Sequence, residues 1–281
     1  MLQWKIGQVT ISSVTELNDA VIPGTSVIPA ATPDAVLAVD WLQPRFADEA
    51  GNIRLRIQAL VVESRGRRIV VDTCLGNDKP RTKPFFDHLQ TPFLTDLGAA
   101  GFAPETIDAV VCTHLHVDHV GWNTVLRDGQ WVPTFPNARY YMSRVDVEYW
   151  SSTPSPDGDL FGDSVRPVLD AGLADLVDPP FAVTDEVELV PTPGHSPGHV
   201  SVRIRSDGND AVITGDVMHH PVQCARPSWA SEFDEDAAHA EATRRAFLAE
   251  HADREVLLIG THFADPVGGY ITTAGDAYRF D

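Results

Sequence analysis

The stretch His114-Leu115-His116-Val117-Asp118-His119 places three imidazoles and one carboxylate within six consecutive residues. It follows the apolar run at residues 107–112, which predicts a strand that ends where the histidines begin. Imidazole nitrogen together with carboxylate oxygen is a ligand combination that suits zinc, iron, manganese or cobalt. The stretch therefore predicts a metal site at the mouth of a sheet.

Composition limits the class of protein. The chain has 281 residues, 43% of them hydrophobic, and no linker divides it, so we expect a single domain over residues 1–281. The net charge of −19 argues against a nucleic-acid partner, because phosphate binding needs a basic surface. The scattered cysteines Cys74, Cys112 and Cys224 predict neither a disulfide framework nor a thiolate zinc site. The sequence has no signal-peptide pattern and no membrane-length apolar run, so we expect a cytoplasmic protein with no membrane partner.

Short apolar runs rich in Val and Ile dominate the chain. They predict eight strands, at residues 53–62, 68–73, 107–113, 138–142, 187–190, 200–205, 211–214 and 255–259. Helical spacing predicts three helices, within residues 85–99, 165–176 and 235–251, the last of them capped by Asp234. Because strands outnumber helices and helices separate the strand groups in both halves, the pattern favours an αβ/βα sandwich over a parallel Rossmann sheet or a TIM barrel.

Two segments predict loops. Residues 151–159 are rich in Pro, Ser and Asp and predict a surface loop. Residues 76–84 carry Lys79, Arg81 and Lys83 in an otherwise acidic protein, and two phenylalanines follow them. This second loop predicts either a rim over a pocket or a solvated loop whose phenylalanines enter the core.

Further ligand-type residues follow other strand-like runs. Gly194-His195, Gly215-Asp216 and Gly260-Thr261-His262 each come directly after such a run. A glycine before the functional side chain lets the backbone turn sharply, which brings each side chain toward one centre.

These motifs, in this order, resemble the metallo-β-lactamase fold superfamily, and the strand end at residues 70–73 resembles it too. The resemblance covers about residues 53–262. The complete set of five His and two Asp is similar to the two-metal hydrolases of the lactonase and organophosphate-hydrolase branch, which includes the N-acyl-homoserine lactonases. The resemblance implies an α/β (α+β) fold of four αββα layers with the metals at one edge of the two sheets.

The resemblance also implies a role for each motif residue. The ligands of the first ion would be His114, His116 and His195, and those of the second Asp118, His119 and His262. Asp216 would bridge both ions together with an attacking hydroxide, and Asp118 is also a candidate for proton transfer. Zinc is the first expectation for the two divalent ions, with iron, manganese and cobalt as alternatives. We expect Asp72 and His199 to support the ligands, because a further ligand would close a site that must stay open.

One position departs from the family pattern. Some lactonases of this branch carry a tyrosine shortly after the bridging aspartate, which helps position the substrate carbonyl, whereas His219 and His220 stand there in this chain. Either histidine is a candidate catalytic donor to the developing oxyanion. Because neighbouring residues of an extended segment point to opposite sides, at most one of them faces the site.

Aromatic side chains near the motifs are candidates for the wall of an apolar substrate pocket. They are Trp122, Tyr149, Trp150, Trp229 and Phe263.

The leading hypothesis is a dinuclear metal-dependent hydrolase that attacks a lactone or another carboxylic ester, with phosphotriesterase activity as a side reaction. A glyoxalase II-like thioesterase is one alternative, although residues 261–281 hold a single basic residue, Arg279, with which to bind glutathione. A metal-holding protein that binds its ligand without turnover is an alternative of another class. The branch that the chain resembles often forms dimers, which makes a homodimer a further expectation.

Overall fold

A computed structural model describes residues 1–281 of the protein. The strands, numbered along the chain, are β1 (Gln3–Ile6), β2 (Val9–Ile22), β3 (Ile53–Ser64), β4 (Arg67–Val71), β5 (Ala109–Val111), β6 (Thr124–Arg127), β7 (Gln130–Pro133), β8 (Arg139–Ser143), β9 (Ala174–Val177), β10 (Phe181–Ala182), β11 (Val187–Pro191), β12 (Val200–Ser206), β13 (Asn209–Ile213), β14 (Val256–Ile259), β15 (Gly268–Gly269), β16 (Ile271–Ala274) and β17 (Ala277–Phe280). The α-helices are α1 (Pro33–Leu37), α2 (Phe93–Ala99), α3 (Val117–Val120), α4 (Arg144–Ser152), α5 (Arg166–Asp170), α6 (Val222–Ala225) and α7 (Ala237–His251). None of the helices has both the length and the apolar character needed to cross a lipid bilayer.

Two large sheets contain most of the strands. The first has the order β1-β2-β3-β4-β5-β8-β9, and the second has the order β10-β11-β12-β13-β14-β15. In the first sheet the pairs β4–β5, β5–β8 and β8–β9 are parallel. In the second sheet only β13–β14 is parallel, because α6 and α7 lie between these two strands in the sequence and return the chain to the same end of the sheet. All eight predicted strands are present.

Apolar side chains alternate between two faces along each sheet, and this alternation creates three cores. The middle core joins the two sheets and includes Leu60, Val62, Ile69, Val202, Ile204 and Ile213. An outer core packs the other face of the first sheet against helices and includes Val61, Val70, Val110, Phe93, Leu97 and Val168. The second outer core includes Val212, Leu258, Val36, Val222, Phe247 and Leu248. The predicted four-layer αββα sandwich is therefore confirmed.

The predicted helices are correct in position but wrong at their ends. The prediction for residues 85–99 holds only for α2, and the prediction for residues 165–176 fails after Asp170, where the chain turns into the edge strand β9. Helix α7 begins two residues later than predicted, since Asp236 is the N-cap and its side chain accepts from the N–H of His239. Asp234 is therefore not the cap.

Several strands of the two sheets end at the edge where the motif residues lie. In the second sheet, β11 and β13 are both antiparallel to β12 and β14 is parallel to β13, so all three run in the same direction. His195, Asp216 and His262 follow the carboxyl ends of these three strands. In the first sheet, β4 and β5 are parallel, and Asp72 and the segment that begins at His114 follow their ends.

The loop at residues 76–84 is not the solvated loop of one prediction, whereas the rim over a pocket stays a prediction, with Lys83 Nζ 4.2 Å from the centre of the Phe233 ring. Lys79 and Arg81 are buried rather than exposed, and both contact the carboxylate of Asp163 on a π-helical turn, Phe161–Val165. Arg81 binds that carboxylate with two hydrogen bonds of 2.6 and 3.0 Å, and Lys79 Nζ lies 3.4 Å from it. Burial lowers the pKa of Lys79 to about 8 despite the neighbouring Asp163. Phe85, by contrast, is 65% exposed and does not enter the core.

The first testable consequence concerns Asp163. We expect D163N to lower the free energy of unfolding by about 3–5 kcal/mol, because it leaves two buried cations without a carboxylate. Urea denaturation would measure the change. The matched control is D157N, which removes the partner of the half-exposed Lys83 ammonium and should lower that free energy by at most about 1 kcal/mol. Equal losses in the two variants would contradict the structural role of the buried cluster.

Candidate metal centre

The first motif is held between the two sheets by hydrogen bonds to Asp72. The carboxylate of Asp72 accepts from the backbone N–H of Thr113 at 2.8 Å, from the Thr113 hydroxyl at 2.8 Å and from His119 Nδ1 at 2.9 Å. The short helix α3 begins directly after His116 and carries Asp118 and His119. Asp72 therefore ties the end of β5 to α3.

The side chains named by the motifs converge on one cluster. Ligand-type atoms lie within 4.8 Å of one another in each of four groups: His114, His116 and His195; Asp118, His119 and His262; His114, His119 and Asp216; and His195, Asp216 and His219. Asp216 Oδ2 lies 3.3 Å from His119 Nε2 and 3.5 Å from His195 Nε2. Asp216 Oδ1 lies 3.2 Å from His262 Nε2. Asp216 therefore stands between the two triads.

Acceptors outside the cluster set the orientation of three of its histidine rings. The pairs are His119 Nδ1 with Asp72 (2.9 Å), His195 Nδ1 with Asp234 (2.9 Å) and His262 Nδ1 with the carbonyl of Arg56 (3.0 Å). A neutral imidazole has a single N–H, and these acceptors take it at Nδ1. Nε2 of each ring is thereby left as an acceptor that points into the cluster.

These nitrogens face other imidazole nitrogens at short range. His119 Nε2 lies 3.1 Å from His262 Nε2, and His195 Nε2 lies 2.9 Å from His116 Nδ1. The buried Nε2 of His114 has no hydrogen-bond partner at all. Two lone pairs packed this closely repel one another unless a proton or a metal ion lies between them. The arrangement fits divalent metal ions, which use neutral imidazole and carboxylate as ligands.

The two halves of the cluster differ in their affinity for protons. Burial lowers the pKa of His116 to about 4 and holds the pKa of His114 and His195 well below the ordinary value. Burial also opposes the charged form of His262, but the carboxylates of Asp216 and Asp118 outweigh it and raise the pKa of His262 to about 9. In the absence of metal, positive charge therefore collects on the carboxylate side of the cluster.

Asp216 is held in place from behind by His199. The backbone N–H of Asp216 donates to His199 Nε2 at 2.7 Å, and His199 Nδ1 lies 3.0 Å from the carbonyl of Thr192. Gly215 has φ +55°, and a Cβ there would lie 2.5 Å from His199 Nε2. The turn that presents Asp216 therefore requires glycine, and His199 lies outside the four groups of ligand-type atoms.

The adjacent residues His219 and His220 point to different surroundings. His219 Nε2 lies 3.2 Å from Asp216 Oδ2, and its buried Nδ1 has no hydrogen-bond partner. His220 lies outside the cluster, where Nε2 contacts the carbonyl of Phe46 and Nδ1 accepts from the N–H of Val222. The candidate catalytic role of His220 is therefore wrong, because both of its ring nitrogens are engaged in the core.

The aromatic residues named above are mostly structural. Trp122 is buried and donates to Glu16, and Phe263 packs edge-on against Phe280 in the outer core of the second sheet. Trp229 packs at the margin of the same core. Trp150 is different, because its ring lies 5.3 Å from the ring of His116.

Three residues near the cluster carry no signal in the sequence that marks them as part of a site. Phe233 has its ring 6.3 Å from the ring of His219, Asp234 contacts His195, and Asp146 contacts the loops that carry the histidines. Phe233 and Asp234 lie in the acidic stretch before α7, where no sequence pattern separates a residue that contacts the site from a helix cap. Asp146 lies in the first turn of α4, a position that favours acidic residues in any helix.

The sequence pattern of the metallo-beta-lactamase superfamily matches residues 53–262, and the chain belongs to that superfamily. An N-acyl homoserine lactonase of Bacillus cereus is 27% identical over 176 residues, which cover 58% of this chain and 64% of that enzyme. The N-acyl homoserine lactonase AttM of Rhizobium radiobacter is 32% identical over 115 residues, covering 38% of this chain and 39% of AttM. The chain thus spans less than two thirds of the length of these relatives.

Solved structures resemble the fold over nearly its full length. AidC, a dizinc quorum-quenching lactonase solved in complex with a product, gives a TM-score of 0.81 at 21% identity and covers 100% of this chain and 96% of its own. The hydrolase AbOPH of the beta-lactamase superfamily gives a TM-score of 0.79 at 24% identity, with coverage of 99% and 95%. At these identities the likeness establishes the fold.

The second testable consequence concerns the proton on His262. Because its pKa is raised to about 9 in the metal-free protein, a metal ion must displace that proton at neutral pH. We expect zinc affinity to increase as the pH rises toward 9, and zinc uptake at neutral pH to release protons. Isothermal titration calorimetry in buffers of different ionisation enthalpy would count them. The H262Q variant should release about one proton fewer. A zinc affinity that does not change with pH would contradict this charge distribution.

Proposed function

We propose that this protein is a dinuclear metal-dependent hydrolase that opens lactones or cleaves other simple carboxylic esters. The observation that carries the proposal is the position of Asp216, whose two carboxylate oxygens face histidines of both triads. The dizinc site named for the structurally similar AidC and the lactonase activity named for the sequence relatives support it.

Seven side chains would hold the two ions. One ion would bind His114, His116 and His195, the other Asp118, His119 and His262, and Asp216 would bind both. Zinc suits this set of nitrogen and oxygen donors best, and iron, manganese and cobalt suit it as well. When bound, two such ions polarise a carbonyl oxygen and lower the pKa of a shared water to roughly 7.

Asp118 is the side chain that we assign to proton transfer. The side chain of Asp118 is 21% exposed, whereas that of Asp216 is 4% exposed, so Asp118 is the carboxylate on the open side of the cluster. Asp118 is therefore placed to take the proton from the attacking water and to return it to the leaving alkoxide. Its oxygens lie 3.6 Å from His119 Nε2 and 3.6 Å from His262 Nε2, the two histidines with which it would share an ion.

His219 is the side chain we assign to the substrate oxygen. It stands where some relatives place a tyrosine, and its Nε2, 3.2 Å from Asp216 Oδ2, faces the cluster and can carry the single N–H of the neutral ring. An imidazole N–H directed at a developing oxyanion stabilises it more than the starting carbonyl.

The aromatic surroundings favour an uncharged substrate. Trp150 lies against His116, and Phe233 lies against His219, so two rings flank the cluster. Apolar walls with few polar groups suit an ester or lactone with an alkyl or acyl substituent. Phosphotriesters are a second class that the same cluster could accept.

The third testable consequence is the activity itself. Zinc- or cobalt-loaded protein should release acid from a panel of γ- and δ-lactones in a pH-stat, and the chain-length preference would map the pocket. The D216N control should lose activity by about 10²-fold or more, because the shared carboxylate is gone.

If two metals are bound but no lactone is opened, the lactonase proposal is wrong. Thioesters and phosphotriesters would then be tested in the same way. Binding of lactones without turnover of any ester would indicate a binding protein.

The fourth testable consequence separates the adjacent histidines. H219F keeps a ring but removes the donor, so we expect kcat to fall by roughly 10²-fold with both metals retained. H220F is the matched control, because it breaks hydrogen bonds in the core and should lower the free energy of unfolding by about 1–3 kcal/mol without changing kcat. Stopped-assay kinetics and metal analysis would be measured for both variants. Loss of a metal ion from H219F would place His219 among the ligands and contradict its assignment to the substrate.

A further inference from the structure

Asp146 is a buried carboxylate that none of the motifs includes. It lies in the first turn of α4, its exposed fraction is 0%, and its two oxygens receive three hydrogen bonds. Oδ2 accepts from the backbone N–H of Leu115 at 3.3 Å and from the hydroxyl of Ser196 at 2.8 Å. Oδ1 accepts from the backbone N–H of Gly198 at 2.6 Å.

The three donors belong to the two loops that carry the first triad. Leu115 lies between His114 and His116, and Ser196 directly follows His195. The first loop follows β5 of one sheet, and the second follows β11 of the other. A single carboxylate therefore joins, across the sandwich, the loops on which all three histidines stand.

The contact is close enough to restrict the sequence around it. A Cβ at Gly198 would lie 2.4 Å from Ser143 Oγ and 2.7 Å from the backbone nitrogen of Asp146. Glycine is therefore required for the second loop to reach α4. Burial raises the pKa of Asp146 to about 6, so the carboxylate is still ionised at neutral pH and can accept from all three donors.

The second triad is supported by other residues. His119 donates to Asp72, and His262 donates to the carbonyl of Arg56. Neither Asp72 nor Arg56 contacts Asp146 or the loop that carries His195. Asp72 also accepts from Thr113, the residue before His114, so its hydrogen bonds reach both triads, whereas those of Asp146 reach only the loops of the first.

We propose that Asp146 is a positioning residue that sets the separation of the two histidine loops and thereby selectively controls affinity for the ion held by His114, His116 and His195. The proposal rests on the dinuclear centre proposed above. It assigns to the first ion one support, Asp146, whose hydrogen bonds do not reach the residues of the second triad. Carboxylates that orient metal ligands typically change metal affinity by about 10–100-fold when they are replaced.

The test is to follow both metal ions in the D146N variant. The carboxamide has the same shape but directs an NH2 group at buried donors, so the loops must separate. Cadmium NMR of the full-length protein should show two resonances, which H116A and H262A assign to the two triads. In D146N we expect the resonance assigned by H116A to broaden or disappear, with zinc affinity at that position about 10–100-fold weaker. The resonance assigned by H262A should remain.

Two controls separate positioning from general loss of stability. D163N removes a carboxylate of similar burial whose partners lie outside the histidine cluster, and it should retain both resonances. S196A removes one of the three donors to Asp146 and should weaken the same ion by up to about tenfold, and this test remains available if D146N does not fold.

The outcomes distinguish this proposal from the proposed function. If the unaltered protein binds fewer than two ions, the dinuclear centre is wrong. If the unaltered protein binds two ions and D146N or S196A binds both as tightly, only the role of Asp146 is wrong. An equal weakening of both ions would also overturn the selective role, because it would indicate a general loosening of the fold.

Discussion

The structure depends on one constraint, which is that several imidazole nitrogens are buried in contact with one another. Asp72, Asp234 and the Arg56 carbonyl each take the N–H of a histidine from outside, so the remaining nitrogens must face inward. Two pairs of nitrogens then meet at 3.1 and 2.9 Å. Each contact needs a proton or a metal ion between the two nitrogens, so protons and metal ions compete for this edge of the sandwich.

The sandwich meets this constraint by using the ends of strands from both sheets. Strand ends are rigid, and the loops after them are short, so each side chain is delivered with little conformational freedom. Carboxylates from other parts of the chain then hold these loops. Asp72 supports α3, Asp234 supports His195, and Asp146 joins the loops of the first triad. The site is therefore built from contacts between elements that are distant in sequence.

The sequence predicted much of the fold because strand formation is largely local. Eight short apolar runs with Val and Ile became strands, and the motif residues were found from their order after those runs. Local patterns failed where long-range charge pairs decided the outcome. Lys79 and Arg81 look like solvated residues in the sequence, yet both are buried, because each forms an ion pair with Asp163 on a distant turn. Asp234 looks like a helix cap, but its carboxylate binds His195 instead.

The sequence by itself determined the fold class, the identity of the cluster residues and the superfamily, because these follow from residue types at fixed spacings. Only the tertiary structure decided which of His219 and His220 faces the cluster, which carboxylates orient the histidines, and which aromatic rings flank the site. The physical reason is that a side chain's role there depends on the partner that satisfies its hydrogen bonds. That partner lies elsewhere in the chain, at a distance that only packing sets.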